Sequence, residues 1–428
     1  MLVAAFRKRD YELQQSACKR QREFNNYDDL LDSETLDELM DKAGVAPTNQ
    51  LGQGTFGAVY YSALNSLRDV VFKHLECDPL DPHAPTISEA RDEGAITMML
   101  SKDNHPHIGR CFAHGALQFG AHYVMVCERY HVGSLYDLMK PDKQPFALLP
   151  PRRVFKHTLL ALAHMHKNGY AHYDVKPANL MVCNRRRLAG ESNHYDIRLI
   201  DFGTTYQLRV DDGVVSRELM GYDTAELLGA FSPPYRPPER WVCDAEFYHL
   251  IGAGGDQSRL KALEVRPSIK YPYLTTADVW AAAVATLDYE FGAQTFEGSC
   301  NRNIRRMGEL WGLPTPDEWP EGDDYLRFAG IRAYVALRDR TTMHPRLVHR
   351  LKSQGAFIVA APKVAATRHD RIMRKRPVLL RTPLDSTLFG VNADKHWKCN
   401  ACIEMIVAEW NPCNRLDAEQ ALQKLNEY

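Results

Sequence analysis

Residues 172–181 read HYDVKPANLM and place three polar side chains, Asp174, Lys176 and Asn179, at offsets of zero, two and five. Pro177 follows the lysine directly. A proline inside a helix removes one backbone hydrogen bond and clashes with the preceding turn, so an ordinary helix cannot continue through this segment. The sequence therefore predicts an irregular backbone that holds a carboxylate, an ammonium group and an amide close together.

The composition is typical of a soluble globular protein. The chain has 428 residues, of which 45% are hydrophobic and 25% are charged, and its net charge at pH 7 is −1. A chain of this length can bury a sizeable core, and one large two-lobed enzyme with extensions fits as well as about three separate domains. The near-neutral charge gives no general reason to expect a nucleic acid or a membrane as a partner, and we expect neither.

The cysteines and the lengths of the apolar runs indicate in which cellular compartment the protein is expected. No apolar run approaches the roughly 20 residues of a membrane-spanning helix. The ten cysteines are scattered through the chain, a pattern that favours reduced thiols over a disulfide framework. We expect an intracellular protein, cytoplasmic or nuclear, that is not secreted.

The hydrophobic pattern changes along the chain. Residues 1–46 are polar, and we expect a helical, solvated N-terminal arm. From Leu51 the runs GAVYYSAL, RDVVFKHL and HYVMVCERY predict strands, with one helix around ISEARDEGAITMML. After Gly133 the pattern is mostly helical, in SLYDLM, RRVFKHTLLALAHMHKNG and TADVWAAAVATLDYEFG. A strand-rich part followed by a helix-rich part predicts an α+β fold with two lobes.

A glycine-rich stretch opens the strand-rich part. LGQGTFGAVYY carries Gly52, Gly54 and Gly57 in GxGxxG spacing. Alone this spacing is a weak signal, because it also marks dinucleotide-binding folds, where it opens a helix. Here a predicted strand follows, which favours a flap whose backbone N–H groups reach nucleotide phosphates without side-chain obstruction.

Lys73 ends the run VVFK, sixteen residues after the last of these glycines. The alternation of the strand points its side chain away from solvent, which makes it a candidate phosphate ligand. It needs an acidic partner, and the predicted helix offers Glu93 or Glu89. Glu93 fits better, because Ile96 and Leu100 follow it at helical spacing on the expected buried face.

Together these motifs resemble a eukaryotic-type protein kinase. HYDVKPANLM resembles the catalytic loop of that family, and LIDFG, residues 199–203, resembles its metal-binding turn. The resemblance implies ATP and Mg2+ as cofactors, with Asn179 and Asp201 as the metal ligands.

The resemblance also implies catalytic roles. Asp174 would orient the substrate hydroxyl and accept its proton, while Lys176 would neutralise charge on the γ-phosphate. Lys73, paired with Glu93, would bind the phosphates. A polyanion attacked by an oxygen needs cations at the phosphates and a base at the nucleophile, whatever the family is called.

Further residues follow from the same resemblance, which covers residues 47–427. The implied nucleotide-binding residues are Leu51, Gly52, Gly54, Gly57, Val59, Val71, Lys73, Glu128 and Tyr130. The implied supporting residues are His172, Ser232, Glu239, Asp278 and Arg415. IRRMGELWGLPTPDEWPEG and YRPPE resemble the cyclin-dependent and MAP kinase branch.

The resemblance divides the chain into an arm at 1–46, an N-lobe at 47–128, a hinge at 129–134 and a C-lobe at 135–427. The C-lobe includes a basic insert at about 330–395. Within it, residues 338–381 carry twelve Lys and Arg against two acids. A solvated insert and a docking face for an acidic partner both fit this composition.

Lys176, two residues after Asp174, resembles the Ser/Thr class of kinases rather than the tyrosine class. The leading hypothesis is therefore ATP- and magnesium-dependent transfer of a phosphoryl group to Ser/Thr hydroxyls of protein substrates. Two alternatives are a pseudokinase scaffold that binds nucleotide or partners without transfer, and a small-molecule phosphotransferase. The Asp278 helix and the Arg415 match resemble protein kinases and count against the last.

Tyr173 stands where most regulated kinases of this family carry an arginine that binds a phosphorylated activation loop. A tyrosine hydroxyl cannot form the bidentate, charge-assisted pair that a guanidinium makes with phosphate. We therefore predict that activation does not depend on a loop phosphate bound at residue 173.

The substitutions Ser216→Ala and Thr224→Ala test this prediction. Both remove hydroxyls of the predicted activation segment, and the rate of phosphoryl transfer, measured with labelled ATP, should remain largely intact. A collapse of the rate in either variant would contradict the prediction.

Overall fold

The computed structural model describes residues 27–53, 57–77, 84–118, 121–139, 149–185, 194–211, 214–219, 231–237, 274–291, 294–296, 402–403, 405–407, 409 and 412–427. Their contacts separate into two units, residues 1–131 with 200–203, and residues 132–199 with 204–428. The boundaries predicted from the sequence stay predictions, and the basic insert at about 330–395 lies outside the described residues.

The first unit is built on a five-stranded antiparallel sheet in the order β1-β2-β3-β5-β4. Its strands are β1 (Gln50–Gln53), β2 (Gly57–Tyr61), β3 (Val70–Glu76), β4 (Cys111–Ala116) and β5 (His122–Glu128). The central strands β3 and β5 are rich in β-branched and aromatic residues, which suit a sheet that is covered on both faces. The predicted runs around β2, β3 and β5 are strands, and β1 and β4 complete the sheet.

Two short helices, α1 (Tyr27–Leu31) and α2 (Leu36–Lys42), cover one face of this sheet. Tyr27, Leu39, Ala43 and Val45 are buried in one cluster with residues of β3, β4 and β5, and the Tyr27 ring stacks on Phe112 with 5.5 Å between the ring centroids. The expectation of a solvated arm is therefore wrong for residues 27–45. The few apolar residues of this polar stretch coincide with the uncovered face of the sheet.

Helix α3 (Ile87–Ser101) lies in the same unit and follows β3 in the sequence. It begins with a capping box, in which Thr86 Oγ1 accepts from the backbone N–H of Glu89 and the Glu89 carboxylate accepts from the backbone N–H of Thr86. Both residues satisfy backbone donors that the first helical turn leaves unpaired. The cap fixes the start of the helix and thereby the position of Glu93, one turn further on.

The second unit is mainly helical. Helix α4 (Leu135–Leu138) is short, and α5 (Pro151–Lys167) contacts both α6 (Thr276–Phe291) and α7 (Ala418–Glu427). The side chains of α6 from 276 to 290 are all buried. This matches an apolar sequence with little polar face, because a helix that is hydrophobic on all sides belongs in a core.

The strands of the second unit lie between α5 and α6 in the sequence. A three-stranded sheet has the order β10-β9-β6, from β6 (Tyr170–Ala171), β9 (Tyr206–Asp211) and β10 (Val214–Leu219). A separate hairpin pairs β7 (Leu180–Arg185) with β8 (His194–Leu199). The segment 172–179 lies between β6 and β7, so strand pairing on both sides fixes the ends of this irregular loop.

In the part of the chain that the structure describes, the helices are too short or too polar to cross a lipid bilayer.

Candidate active site

Lys73 lies at the centre of the polar cluster of the first unit. Its Nζ is 2.5 Å from Oε1 of Glu93 on α3 and 2.6 Å from Oδ1 of Asp201. The register of the sheet places Lys73 opposite Val59 of β2 and Met125 of β5, so the lysine projects from the middle strand. The structure thus brings together three of the predicted site residues. Glu89, the alternative partner, is instead part of the helix cap.

Burial and charge act against each other in this cluster. Burial works to lower the pKa of Lys73, but the carboxylates of Asp201 and Glu93 outweigh it and raise the pKa well above its usual range. Burial raises the pKa of Glu93, and the Lys73 ammonium opposes that rise. Lys73 is therefore a permanent cation at any physiological pH. Two carboxylates face this one ammonium, and the cluster can accept a further positive charge.

The turn after Ile200 holds Asp201 in place. Asp201 has a φ of 67°, in the left-handed region that non-glycine residues rarely adopt, and the next side chain, Phe202, is buried. A Cβ built on Gly203 would lie 3.0 Å from Oε2 of Glu93. The glycine therefore lets this turn lie directly against the carboxylate that binds Lys73.

The glycine-rich stretch is described only in part. Gly54 lies outside the described residues, a Cβ on Gly52 would meet open space, and the neighbouring Leu51 is exposed. A Cβ on Gly57 would lie 2.0 Å from the carbonyl oxygen of His74. Gly57 is thus required by the close approach of β2 to β3, a packing reason that the phosphate-flap prediction did not include.

The other predicted nucleotide-binding residues line the strands around Lys73. Val59 and Val71 are half-buried. At the end of β5 the backbone N–H of Glu128 donates to the carbonyl of Arg110, and the Tyr130 hydroxyl donates to the Glu128 carboxylate at 3.2 Å. The backbone N–H of Arg129, the first residue of the predicted hinge, donates to the carbonyl of Asp69 at 2.8 Å, so the start of the hinge is also restrained.

In the second unit, Asp174 is the hub of a hydrogen-bonded network. Its Oδ1 accepts from the backbone N–H of Ser232 at 2.9 Å and from the Ser232 hydroxyl at 2.8 Å. Its Oδ2 accepts from Lys176 Nζ at 2.6 Å, and this lysine also donates to Ser232 Oγ at 3.0 Å. The Asn179 amide nitrogen donates to the carbonyl of Asp174 at 3.0 Å. All four predicted residues of this unit's centre thus meet at one aspartate.

Asp278 of α6 holds the loop that carries Asp174. Its carboxylate is fully buried and accepts from the backbone N–H groups of His172 and Tyr173 at 2.8 and 2.7 Å. Nε2 of His166 on α5 lies 3.0 Å from the same carboxylate. The loop is therefore anchored on a helix side chain, because its own irregular backbone cannot satisfy these N–H groups.

His172 adds a second constraint on the loop. Its ring is fully buried, and Nδ1 accepts from the backbone N–H of Asp174 at 3.1 Å. Thr204 Oγ1 donates to the His172 carbonyl at 3.1 Å. The ring of His172 therefore restrains the backbone of Asp174, and Thr204 restrains the backbone of His172 itself.

Arg415, one of the predicted supporting residues, is buried and donates to the carbonyl oxygens of Glu409 and Thr276. Its predicted partner Glu239 lies outside the described residues. The Arg415 guanidinium thus contacts the start of α6, the helix that carries Asp278.

Sequence reasoning missed several residues that shape this site. His166 and Thr204 contact Asp278 and His172, and Phe231 packs against Tyr173 at a ring-centroid distance of 4.6 Å. Only the position of His166 in the last turn of an amphipathic helix hinted at a contact outside that helix. The contact of Phe231 with Tyr173 joins segments far apart in sequence, which no local pattern specifies.

Comparison with known proteins gives consistent matches. Residues 46–243 match the family model described as "Protein kinase domain". The chain is 32% identical over 303 residues to the serine/threonine-protein kinase pkn2 of Myxococcus xanthus, an alignment that covers 70% of this chain and 31% of that protein. It is 23% identical over 266 residues to the serine/threonine-protein kinase ksp1 of Schizosaccharomyces pombe, covering 60% of this chain and 46% of ksp1.

A third relative is homeodomain-interacting protein kinase 2 of Mesocricetus auratus, 28% identical over 305 residues, with coverage of 71% of this chain and 21% of the relative. The chain spans less than half the length of each of these proteins. The predicted fold class and the predicted resemblance to eukaryotic-type Ser/Thr kinases are confirmed at these low identities. The cyclin-dependent and MAP kinase branch stays a prediction.

Glu93→Gln tests the Lys73 cluster, with Glu89→Gln as its matched control on the same helix. Glutamine keeps the size of the side chain but removes the charge that faces Lys73, and we expect kcat/KM for phosphoryl transfer to fall by about tenfold or more, the effect of losing one charged hydrogen bond. Glutamine at the control position still fits a capping box, so Glu89→Gln should stay close to the wild type. Equal rates in the two variants, with both proteins folded by their melting curves, would show that the Glu93 contact is not needed.

Proposed function

We propose that this chain, whose residues 46–243 match the protein kinase domain model, is an enzyme that transfers the γ-phosphoryl group of ATP to Ser and Thr hydroxyls of other proteins. The observation that carries the proposal is the geometry at Asp174. Its carboxylate is oriented by Ser232 and Lys176 in a loop anchored on Asp278.

Asp174 is suited to act on a hydroxyl. The hydrogen bonds from Ser232 and Lys176 restrict its carboxylate to one orientation, and the side chain is 11% exposed. A carboxylate held in this way aligns a substrate hydroxyl by accepting its hydrogen bond, and it takes the proton as the oxygen attacks phosphorus. Lys176, beside it, supplies a positive charge where negative charge develops on the transferred group.

Lys73 is suited to bind the phosphates of ATP. Its Nζ is held by two carboxylates, which fix a flexible side chain in one place and keep it charged. A lysine positioned in this way costs little further ordering when a polyphosphate binds, because its side chain is already restricted. The glycine-rich stretch beside β2 would complete the phosphate site through its backbone N–H groups.

The family implies a magnesium ion, and each unit, taken by itself, offers an oxygen donor that suits it. Asp201 offers a carboxylate in a cluster where two carboxylates face one ammonium. The Asn179 amide nitrogen donates to Asp174, and this orients the amide oxygen as a second hard ligand. Magnesium prefers such oxygen ligands together with substrate phosphates. When bound, the ion would neutralise charge on the phosphates, and the role of Asp201 and Asn179 is to hold it.

Lys176, two residues after Asp174, supports a Ser/Thr substrate, because this spacing resembles the Ser/Thr class of kinases. The identity of the protein substrate, an acidic docking partner at residues 338–381 and an intracellular location stay proposals. The contacts of Lys73, Asp174, Asn179 and Asp201 support an active enzyme, and the pseudokinase scaffold stays the alternative.

Asp174→Asn tests the function directly. The amide keeps the size of the side chain but cannot accept a proton, and we expect the transfer of label from γ-labelled ATP to a panel of proteins to fall by roughly 10²–10⁴-fold. The matched control is Asp103→Asn, an exposed aspartate outside the site, which should retain the wild-type rate.

Three outcomes separate the hypotheses. Transfer by the wild type that is lost only in Asp174→Asn supports the enzyme. ATP binding by the wild type without transfer favours the pseudokinase scaffold and contradicts the proposal. Phosphorylation of a small molecule in place of protein would indicate a small-molecule phosphotransferase.

A further inference from the structure

Two bulky residues of the second unit adopt a left-handed backbone conformation. Tyr173 has a φ of 60° and Phe231 has a φ of 67°, and both side chains are almost completely buried. Such conformations are strained for residues with large side chains, and they persist only where surrounding contacts impose them. Each of the two residues directly adjoins a residue of the Asp174 network.

The two strained residues contact each other. The rings of Tyr173 and Phe231 lie 4.6 Å apart between centroids at an angle of 37°. Tyr206 of β9 completes the cluster, with its ring 5.4 Å from that of Tyr173 in an edge-on arrangement. Both distances fall in the range of favourable aromatic pairs. We call Tyr173, Tyr206 and Phe231 the aromatic cluster.

We propose that the aromatic cluster positions Ser232 against Asp174 and so orients the carboxylate that accepts the substrate proton. This inference rests on the proposed function. It assigns positioning roles to Phe231 and Tyr173, neither of which touches the reacting atoms.

The order of residues in the two segments links the rings to the site. Tyr173 immediately precedes Asp174, and Phe231 immediately precedes Ser232. The contact between the two rings therefore holds the two segments together. The next residue of each segment belongs to the site, where Ser232 donates both its N–H and its hydroxyl to Asp174 Oδ1. A shift of the Phe231 ring would carry Ser232 with it, since a single backbone unit separates them.

Hydrogen bonds to other residues hold both Tyr173 and Phe231 in place. Asp278 accepts from the Tyr173 N–H at 2.7 Å, and the Tyr173 hydroxyl donates to the carbonyl of Leu274 at 3.2 Å. Arg236 Nε donates to the carbonyl of Phe231 at 2.9 Å. Tyr173 is thus anchored at both its backbone and its ring tip, so it can serve as a rigid surface on which Phe231 packs.

The contact between these rings is apolar and needs no added charge. An ion pair between a guanidinium and a phosphate can be formed and removed by modification, whereas packing of buried rings is permanent in the folded state. The cluster therefore keeps Ser232 and Asp174 aligned whatever the phosphorylation state of the segment that contains Phe231. This gives the expected independence from a loop phosphate a structural cause.

Two substitutions at Phe231 separate the ring from the backbone. Phe231→Ala removes the ring and keeps the cost of a left-handed residue, whereas Phe231→Gly removes the ring and the backbone strain together. We expect kcat to fall tenfold or more in both, with little change of KM for ATP, because Lys73 and its partners are untouched. A glycine variant with the wild-type kcat would show that backbone conformation alone is sufficient, and would overturn the role assigned to the ring.

Substitutions at Tyr173 give an independent test. Tyr173→Phe keeps the ring and loses the hydroxyl contact with Leu274, so kcat should fall by less than about threefold, the effect of one weak hydrogen bond. Tyr173→Leu loses the ring and should lower kcat by tenfold or more. Equal kcat values in Tyr173→Phe and Tyr173→Leu would contradict the proposal, because they would show that the aromatic ring at this position does not affect the rate.

Hydrogen exchange keeps the test valid if the protein proves not to be an enzyme. The peptide that contains Ser232 should exchange faster in Phe231→Ala than in the wild type, while peptides of β3 and β5 should be unchanged. Absence of transfer by the wild type would defeat the proposed function alone. Unchanged exchange at Ser232, or an unchanged kcat in an active Phe231→Ala variant, would defeat the positioning role alone.

Discussion

The carboxylate of Asp278 is the interaction on which the second unit's site depends. It accepts from the N–H groups of His172 and Tyr173, in the irregular loop that precedes the 3₁₀ turn Pro177–Asn179, and it also contacts His166. A buried N–H group without a partner costs about 1–3 kcal/mol, so an irregular loop at this depth requires an acceptor from elsewhere. Because Asp278 comes from a helix buried on all sides, this acceptor is held in one place. The loop that it binds, and with it Asp174, is therefore also restrained.

In the first unit, residues from other elements likewise hold a functional side chain in place, here that of Lys73. Lys73 has a long side chain whose freedom must be restricted before a phosphate can bind with little ordering cost. Glu93 comes from a helix whose start is fixed by a capping box, and Asp201 comes from a turn with a left-handed residue. Gly203 allows that turn to approach Glu93 closely. The charged cluster is therefore built from three elements that are each fixed by their own local structure.

Much of this could be predicted from the sequence, where short-range rules operate. The strands around β2, β3 and β5 and the helices α3 and α5 follow from the hydrophobic period, and α6 follows from its nearly continuous apolar sequence. The preference for Glu93 over Glu89 followed from the buried face of α3, and the structure adds a reason, since Glu89 belongs to the cap. Those rules use only neighbours within about two turns of the chain.

Predictions were less complete where distant segments meet. The burial of Tyr27 and Leu39 depends on a free sheet face that their own polar neighbourhood does not reveal. In the same way, the identity of Tyr173 indicated a missing arginine, but its contact with Phe231 connects segments far apart in sequence. Patterns within a segment cannot specify such contacts, because they are set by the packing of the whole unit.

The most direct test of this account is the kcat of an Asp278→Asn variant, measured beside Thr286→Val. Thr286 lies on the same buried helix, and its hydroxyl donates to the carbonyl of Ala282 within that helix. The account predicts that Asp278→Asn remains folded by its melting curve but loses most of its phosphoryl transfer. The asparagine amide places an NH2 group, a donor, where a carboxylate oxygen accepted from a loop N–H, so one of these hydrogen bonds is lost. Thr286→Val should retain its rate. A folded Asp278→Asn variant with the wild-type kcat would contradict the claim that this carboxylate sets the geometry of the site.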